Sequence, residues 1–399
     1  MEDSVPDISI IVVNYQVKEY VGLLLHSIQK AAQNLKVEIF VIDNYSNDGS
    51  IEYLSALPYD IKIIANQANQ GFAKANNQGV HRAQGKYSLL INPDTIIQEN
   101  CLEVMKKYMD SHLDCAVSGY RIINPTGSFA PESKRSVPTL SSALFRVLGL
   151  DILLPQSKIF GKRYLGWLDE YETNKVPIIS GAGMFWRSSV LKELQGFDED
   201  FFMYGEDDDI CFRVEKINQS VNYIPKSTIL HFKGESDKEV SLKHVKKLNQ
   251  GIYLFYKKHY ESGQNFIIVS LVKSVFYLRV FIQYLIGLYR RKKRTNESIS
   301  KIIIVSDEKD VETLFHKENI TKEIIPTHNM TSSLMQESIL DSKKTLGDKA
   351  SIVFDVRSLS YKDIFEILTS LRSYNFDIKF LIKSQNIILG KSSVINLSL

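Results

Sequence analysis

The sequence predicts an α/β protein with a mostly parallel sheet, then a basic amphipathic helical segment, then a smaller second α/β unit. Three observations predict it. Continuous β-branched runs at Ile8 to Val13 and Glu38 to Ile42 have the composition of strands buried on both faces. Between them Val21, Leu24, Leu25 and Ile28 recur at helical spacing, which gives the order strand, helix, strand. A fresh apolar strand, Lys301 to Ser306, begins a similar alternation after a strongly basic middle.

The 399 residues allow two or three domains, and 44% hydrophobic with 24% charged residues is ordinary globular composition. The net charge of +3 conceals an asymmetry: residues 241–295 hold 12 Lys or Arg against one acid, Glu261. Such a basic segment suits a local anionic surface. Cys101, Cys115 and Cys211 lack metal-type spacing, and an odd number cannot all pair within one chain, so a reducing compartment is expected. The acidic start Met1 to Asp7 and the short apolar run after it do not read as a signal peptide.

In chain order, Asn14-Tyr15 ends the first strand, and Asp43 to Ser50 follows the second, at the edge where such sheets present residues to ligands. That polar composition equally suits a turn and a helix cap. A third strand, Ile61 to Ala65, leads to Asn69 to Gly79, rich in Asn and Gly. A fourth, Tyr87 to Ile91, delivers Asn92-Pro93-Asp94, where proline stops the strand and exposes the carboxylate. Later come Ser180-Gly181-Ala182-Gly183 and Gly196 to Glu199. Four adjacent acids, Glu206, Asp207, Asp208 and Asp209, then open a helix carrying Ile210, Val214 and Ile217. A helix N-terminus compensates part of that charge, and a nearby cation or polar ligand would compensate the rest. Tyr164, Trp167 and Tyr171, with Lys162 and Arg163, read as packing rather than an acceptor lid.

This succession over residues 7–245 resembles the inverting family 2 glycosyltransferases, within them the rhamnosyltransferase-like branch. The resemblance implies a nucleotide-sugar-binding domain of the GT-A type. It implies that Asp43 bonds the pyrimidine base beside Asn14 and Tyr15, that Asn69, Gly71 and Asn76 follow the nucleotide and diphosphate, and that Asp94 meets the diphosphate and a divalent metal, Mg²⁺ or Mn²⁺. His231 resembles a downstream histidine that can join the metal. Asp207 matches the catalytic base, with Glu206 beside it. Two positions depart from many relatives: Asn92 stands where a first metal carboxylate is common, and Asn76 where an arginine is common.

Phe266 to Tyr289 is apolar, yet Lys273 and Arg279 oppose a membrane span. Leu271, Val275, Leu278, Ile282, Leu285 and Tyr289 form one helical stripe, followed by the basic run Arg290 to Arg294. An amphipathic helix is expected, lying on an anionic membrane or packed on the catalytic domain. The final unit has strands at Ser351 to Phe354 and Ile378 to Ile382 around a helix at Tyr361 to Arg372. It vaguely resembles the Rossmann-like domain of some bacterial sugar transferases, but Asp307-Glu308-Lys309 replaces a glycine-rich loop, so dinucleotide binding is not expected.

The expected division is therefore 1–245 catalytic, 246–297 basic helical and 298–399 accessory. The expected activity is transfer of a sugar from a dTDP- or UDP-linked donor, with rhamnose a candidate, to a glycan or polyprenyl-linked acceptor in surface polysaccharide assembly. It would occur in the cytoplasm at the inner face of the membrane. A homo-oligomer or a protein partner would engage the C-terminal unit, and no nucleic acid is expected. Two alternatives stay open: a nucleotide-sugar-binding scaffold, supported by Asn92 and Asn76 and opposed by Glu206-Asp207, and a nucleotidyltransferase, which Asn14 to Val17 opposes by lacking a glycine-rich loop.

Overall fold

The computed structural model describes residues 5–234, 242–260, 274, 301–307, 321–328, 330–347, 350–374, 376–382, 387–391 and 393–396. Apart from Ser274, the stripe expected between Phe266 and Tyr289 lies outside these residues.

The first unit begins β1 (Ile8–Asn14), α1 (Lys18–Ala31), β2 (Val37–Asp43), α2 (Ser50–Ser55), β3 (Lys62–Ala65), α3 (Phe72–Arg82) and β4 (Tyr87–Ile91). It continues through β5 (Thr95–Ile97), α4 (Cys101–Ser111), β6 (Cys115–Ile123), β7 (Lys134–Arg135), α5 (Leu140–Val147) and α6 (Leu150–Leu153). After β8 (Asn174–Lys175), β9 (Ile178–Ile179), β10 (Gly183–Arg187) and α7 (Ser188–Glu193) come α8 (Glu206–Lys216), β11 (Ser220–His231) and α9 (Leu242–Tyr260).

The main sheet runs β3-β2-β1-β4-β10-β6-β11-β5, with β8 pairing β11. β1, β2, β3 and β4 are mutually parallel, as their apolar composition predicts, and β10 runs antiparallel between β4 and β6. Every residue of β1 and β4 is buried. The consequence for function is one shared edge: the carboxyl ends of β1, β2 and β4 put Asn14, Asp43 and Asn92-Pro93-Asp94 on the same side. This is the GT-A type layout that the resemblance implies.

The second unit comprises β12 (Lys301–Val305), β13 (Thr321–Ile325), α10 (Ser332–Leu346), β14 (Ser351–Asp355), α11 (Tyr361–Leu371), β15 (Asp377–Ile382), β16 (Ile387–Gly390) and β17 (Ser393–Asn396). Its sheet order is β13-β12-β14-β15-β16-β17, parallel through β15 and then an antiparallel meander.

The two units share a core. Val17, Tyr20, Leu23, Ile96, Leu230 and Phe232 of the first belong to the same buried cluster as Ile303, Phe354, Phe365 and Phe380 of the second. Phe232 meets Phe380 edge-on at 5.6 Å between ring centres. Tyr20 donates its hydroxyl to Gly390 O at 2.6 Å. Glu99 caps a helix of the other unit, accepting from Tyr361 N (2.7 Å) and Lys362 N (3.1 Å) at the start of α11. The boundary expected at 245 falls inside α9, which packs on α8 through Phe212 and Phe255, 5.7 Å apart. Phe380→Ala should therefore cost about 3–5 kcal/mol and lower the melting of both units together. Near-UV circular dichroism checks this; an unchanged melt of the first unit would contradict the shared core.

Candidate functional site

At the β1/β2 end, Asn14 and Asp43 are register partners, both buried. Asn14 donates its amide to Asp43 Oδ1 (2.7 Å) and Ser46 Oγ (3.2 Å), and Ser46 N donates to Asp43 Oδ2 (2.9 Å). Tyr15, half-buried, follows directly. Asn44 joins this end to the next loop, donating to Asn69 Oδ1 (3.0 Å) and Gly71 O (3.3 Å) and accepting from Asn66 Nδ2 (3.1 Å) and Gln70 N (3.0 Å). Gly71 has φ +85°, and a Cβ there would stand 2.6 Å from Phe202 O, so only glycine fits. Phe72 N donates to that same carbonyl at 2.7 Å, which ties the Asn69–Gly71 loop to the stretch before the acid run. Asn76 is buried within α3 and returns its amide to Phe72 O (2.9 Å). The structure seats it in the helix wall, apart from the polar groups that link Asp43 to Gly71.

At the β4 end the structure brings two distant residues together. Antiparallel pairing of β5 with β11 sets His231 opposite Thr95, and His231 Nε2 lies 3.2 Å from Asp94 Oδ1. Phe232 N donates to Asp94 O (3.0 Å), and Thr95 Oγ1 donates to Asn92 O (2.7 Å). Asn92 sets its side-chain nitrogen 3.4 Å from His231 Nε2, while its Oδ1 is buried without a partner. Among the described residues no three His, Cys, Asp or Glu side chains gather into a metal cage. Asp94, His231 and the unpaired Asn92 oxygen fit a divalent cation that completes its shell on a diphosphate.

The acid run opens α8 behind Gly205, which holds φ +93°. Three of its carboxylates have cations of their own. Asp207 Oδ2 accepts from Arg135 Nη2 (2.5 Å) and Gly181 N (3.0 Å), and its Oδ1 accepts from Asp208 N (2.9 Å). Asp208 takes both oxygens to Arg163 Nη2 (2.9 and 2.8 Å) and also faces Arg135 Nη1 (3.3 Å). Asp209 accepts from Arg213 Nε (2.8 Å) and is met by Lys258 Nζ (2.9 Å) and His259 Nε2 (2.7 Å) from α9. Burial opposes ionisation of Asp207, but Arg135 and the Gly181 N–H outweigh it and hold the carboxyl below its usual range.

Glu206 is the exception. It is buried, its Oε2 has no partner among the described residues, and burial followed by the Asp207 charge pushes its carboxyl up to about 8. Adjacent carboxylates thus divide into an ionised Asp207 and a neutral Glu206.

The loop Ser180–Gly183 connects the two ends. Ala182 O accepts from Asn92 N (3.0 Å) while Gly181 N donates to Asp207, so the Asp94 turn and the acid run are held through one short segment. Sequence reading missed Arg135 and took Arg163 for packing; the signal available was the uncompensated charge of four adjacent acids.

Because Glu206 holds its proton more tightly folded than unfolded, its contribution is fully present below the ordinary value of 4.5 and is lost as pH rises to about 8. Glu206→Gln should keep its melting temperature over that window while the parent chain falls relative to it. Thermal melts at stepped pH check this, and parallel profiles would contradict it.

Comparison with known proteins identifies the family of the first unit. Residues 9–194 match the model for Glycosyl transferase family 2. The chain is 28% identical over 229 residues to the low-salt glycan biosynthesis hexosyltransferase Agl10 of Haloferax volcanii, covering 56% of this chain and 67% of that protein. It is 22% identical over 273 residues to the N-acetylglucosaminyl-diphospho-decaprenol L-rhamnosyltransferase of Mycobacterium tuberculosis, covering 64% and 84%. With the rhamnosyltransferase WbbL of Escherichia coli it shares 24% over 241 residues, covering 56% and 82%. Among solved structures, the mannosyltransferase PcManGT of Pyrobaculum calidifontis, in complex with GDP-Man and Mn²⁺, superimposes with TM-score 0.43 and 13% identity over 93% of this chain and 85% of that one. The chain carries a glycosyl transferase family 2 domain and is a glycosyltransferase.

Proposed function

We propose that the protein transfers a sugar, with rhamnose the leading candidate, from a dTDP- or UDP-linked donor to a lipid-linked glycan with inversion at the anomeric carbon. The observation that carries this reading is the Ser180–Gly183 loop, which joins the Asp94–His231 pair to the ionised Asp207. The nucleoside lies along Asn14, Tyr15 and Asp43, with Asn69 and Gly71 bordering it. Asn76 supports that wall from within α3. Asp94 and His231, with the Asn92 amide oxygen, would hold a divalent cation, which would neutralise charge on the departing diphosphate.

Asp207 accepts the proton of the acceptor hydroxyl as that oxygen attacks the anomeric carbon. The bond to the diphosphate breaks and its electron pair leaves on the phosphate oxygen. A single displacement inverts the centre. Arg135 keeps Asp207 unprotonated before acceptor arrives, and Glu206, being neutral, adds no second negative charge beside the incoming hydroxyl.

The relatives that act in rhamnosyl transfer, one named for a decaprenol-linked acceptor, support the choice of sugar and acceptor class. Among the described residues no helix is long and apolar enough to cross a membrane. The basic stretch from 246 to 297 supports peripheral attachment to an anionic face. Asp207→Asn should bind donor nucleotide like the parent and lose turnover by about 10²–10⁴-fold. Calorimetric titration beside a transfer assay checks both halves, and near-parental turnover would remove Asp207 as base.

A further inference from the structure

Residues 140–162 form a helical hairpin, α5 and α6, whose neck is closed by Ser136 N donating to Arg163 O (3.0 Å). The hairpin holds itself together through Phe145 against Phe160 (5.0 Å between ring centres) and Arg146 over Tyr164 (4.8 Å). Its outer side is unusually apolar. Leu144, Leu148, Ile152, Leu153, Leu154 and Ile159 are all exposed, Ile152 at 78% and Leu153 at 73%. These six, within sixteen residues, make up nearly half of the thirteen large apolar side chains exposed among the described residues. Scattered singly they would need no explanation; concentrated on one hairpin they mark a surface that is covered in use.

Charge identifies what covers it. Exposed Lys158 and Lys162 border the apolar tip. The sole acid between residues 140 and 168 is Asp151, which is buried and faces Arg146 at 3.8 Å. Aliphatic side chains beside uncompensated lysines suit an anionic lipid surface: the chains enter the headgroup boundary and the lysines meet phosphates. A protein partner would call for aromatic or arginine anchors, and lysine is depleted at such interfaces.

We propose that this hairpin is a membrane-contacting element in addition to the basic stretch, inserting its apolar tip into an anionic lipid surface. Arg135 and Arg163, which flank the hairpin in sequence, pair with Asp207 and Asp208, so the hairpin is anchored on the acid run. The proposal rests on the reading of the acceptor as lipid-linked and adds the surface that meets the lipid.

The test uses the full chain with Ile152→Cys carrying an environment-sensitive fluorophore; the three native cysteines are buried. Phosphatidylcholine vesicles with phosphatidylglycerol should shift the emission to the blue and allow quenching by spin-labelled lipid. The same label at Leu113→Cys, a position 75% exposed, should not respond. A second variant, Ile152→Asp with Leu153→Asp, should bind these vesicles at least tenfold more weakly while transfer to a short, water-soluble acceptor stays at the parental rate. Three outcomes would overturn the proposal. They are a label that ignores vesicles, a double variant that binds them like the parent, and a label shielded from iodide before vesicles are added, which would mean that this chain or a second copy covers the patch. Vesicle binding needs no sugar donor, so it can fail while transfer persists; loss of transfer with intact binding would instead strike the assigned reaction.

Discussion

The pairing of Arg135 with Asp207 and of Arg163 with Asp208 is the constraint on which the site depends. Four consecutive carboxylates at the start of one helix repel one another, and the helix dipole offsets only part of that. Buried guanidiniums settle the rest, and they do so unevenly. Asp207, Asp208 and Asp209 each form an ion pair, whereas Glu206 forms none among the described residues and keeps its proton. A buried ion pair contributes little net stability compared with an apolar replacement, but removal of one partner is costly. The arrangement therefore fixes protonation states more than it adds stability.

The remainder of the chain supports that arrangement from two sides. The Ser180–Gly183 loop ties it to the Asp94 turn, and α9 closes it from below with Lys258 and His259 on Asp209. Beneath the Asp94–His231 pair, Leu230 and Phe232 are buried in a core shared with the C-terminal unit. His231 thus sits between two residues of that shared core, and Phe232 packs on both Tyr20 and Phe380. The C-terminal unit thereby supports the Asp94–His231 end of the first unit from beneath.

Much of the fold was legible because buried parallel strands leave an unambiguous signature. Tyr87 to Ile91 was placed to the residue, and β1, β2 and the start of α8 to within one. The carboxylates of the site were legible as residue types following strands. The cations paired with the acid run were not. Arg135 lies on a two-residue strand in the stretch with the weakest periodicity, and nothing local indicates that it reaches a helix some seventy residues away. His231 beside Asp94 was expected only through the family resemblance, because their proximity depends on β5 pairing with β11, a non-local contact that no short window contains. The exposed hairpin was equally hidden, since Leu144 and Ile152 are as apolar as core residues and only the structure shows which side they face.

On the proposed function, this edge binds a nucleoside diphosphate sugar through Asp43 and the Asp94–His231 pair. The most direct measurement is nucleotide release from a panel of UDP-, dTDP- and GDP-sugars by the purified chain and by Asp94→Asn, with and without Mn²⁺. Slow, metal-dependent release from one donor class and its loss in the variant are expected. Release that ignores both metal and Asp94, or neither release nor binding of any donor, would contradict this.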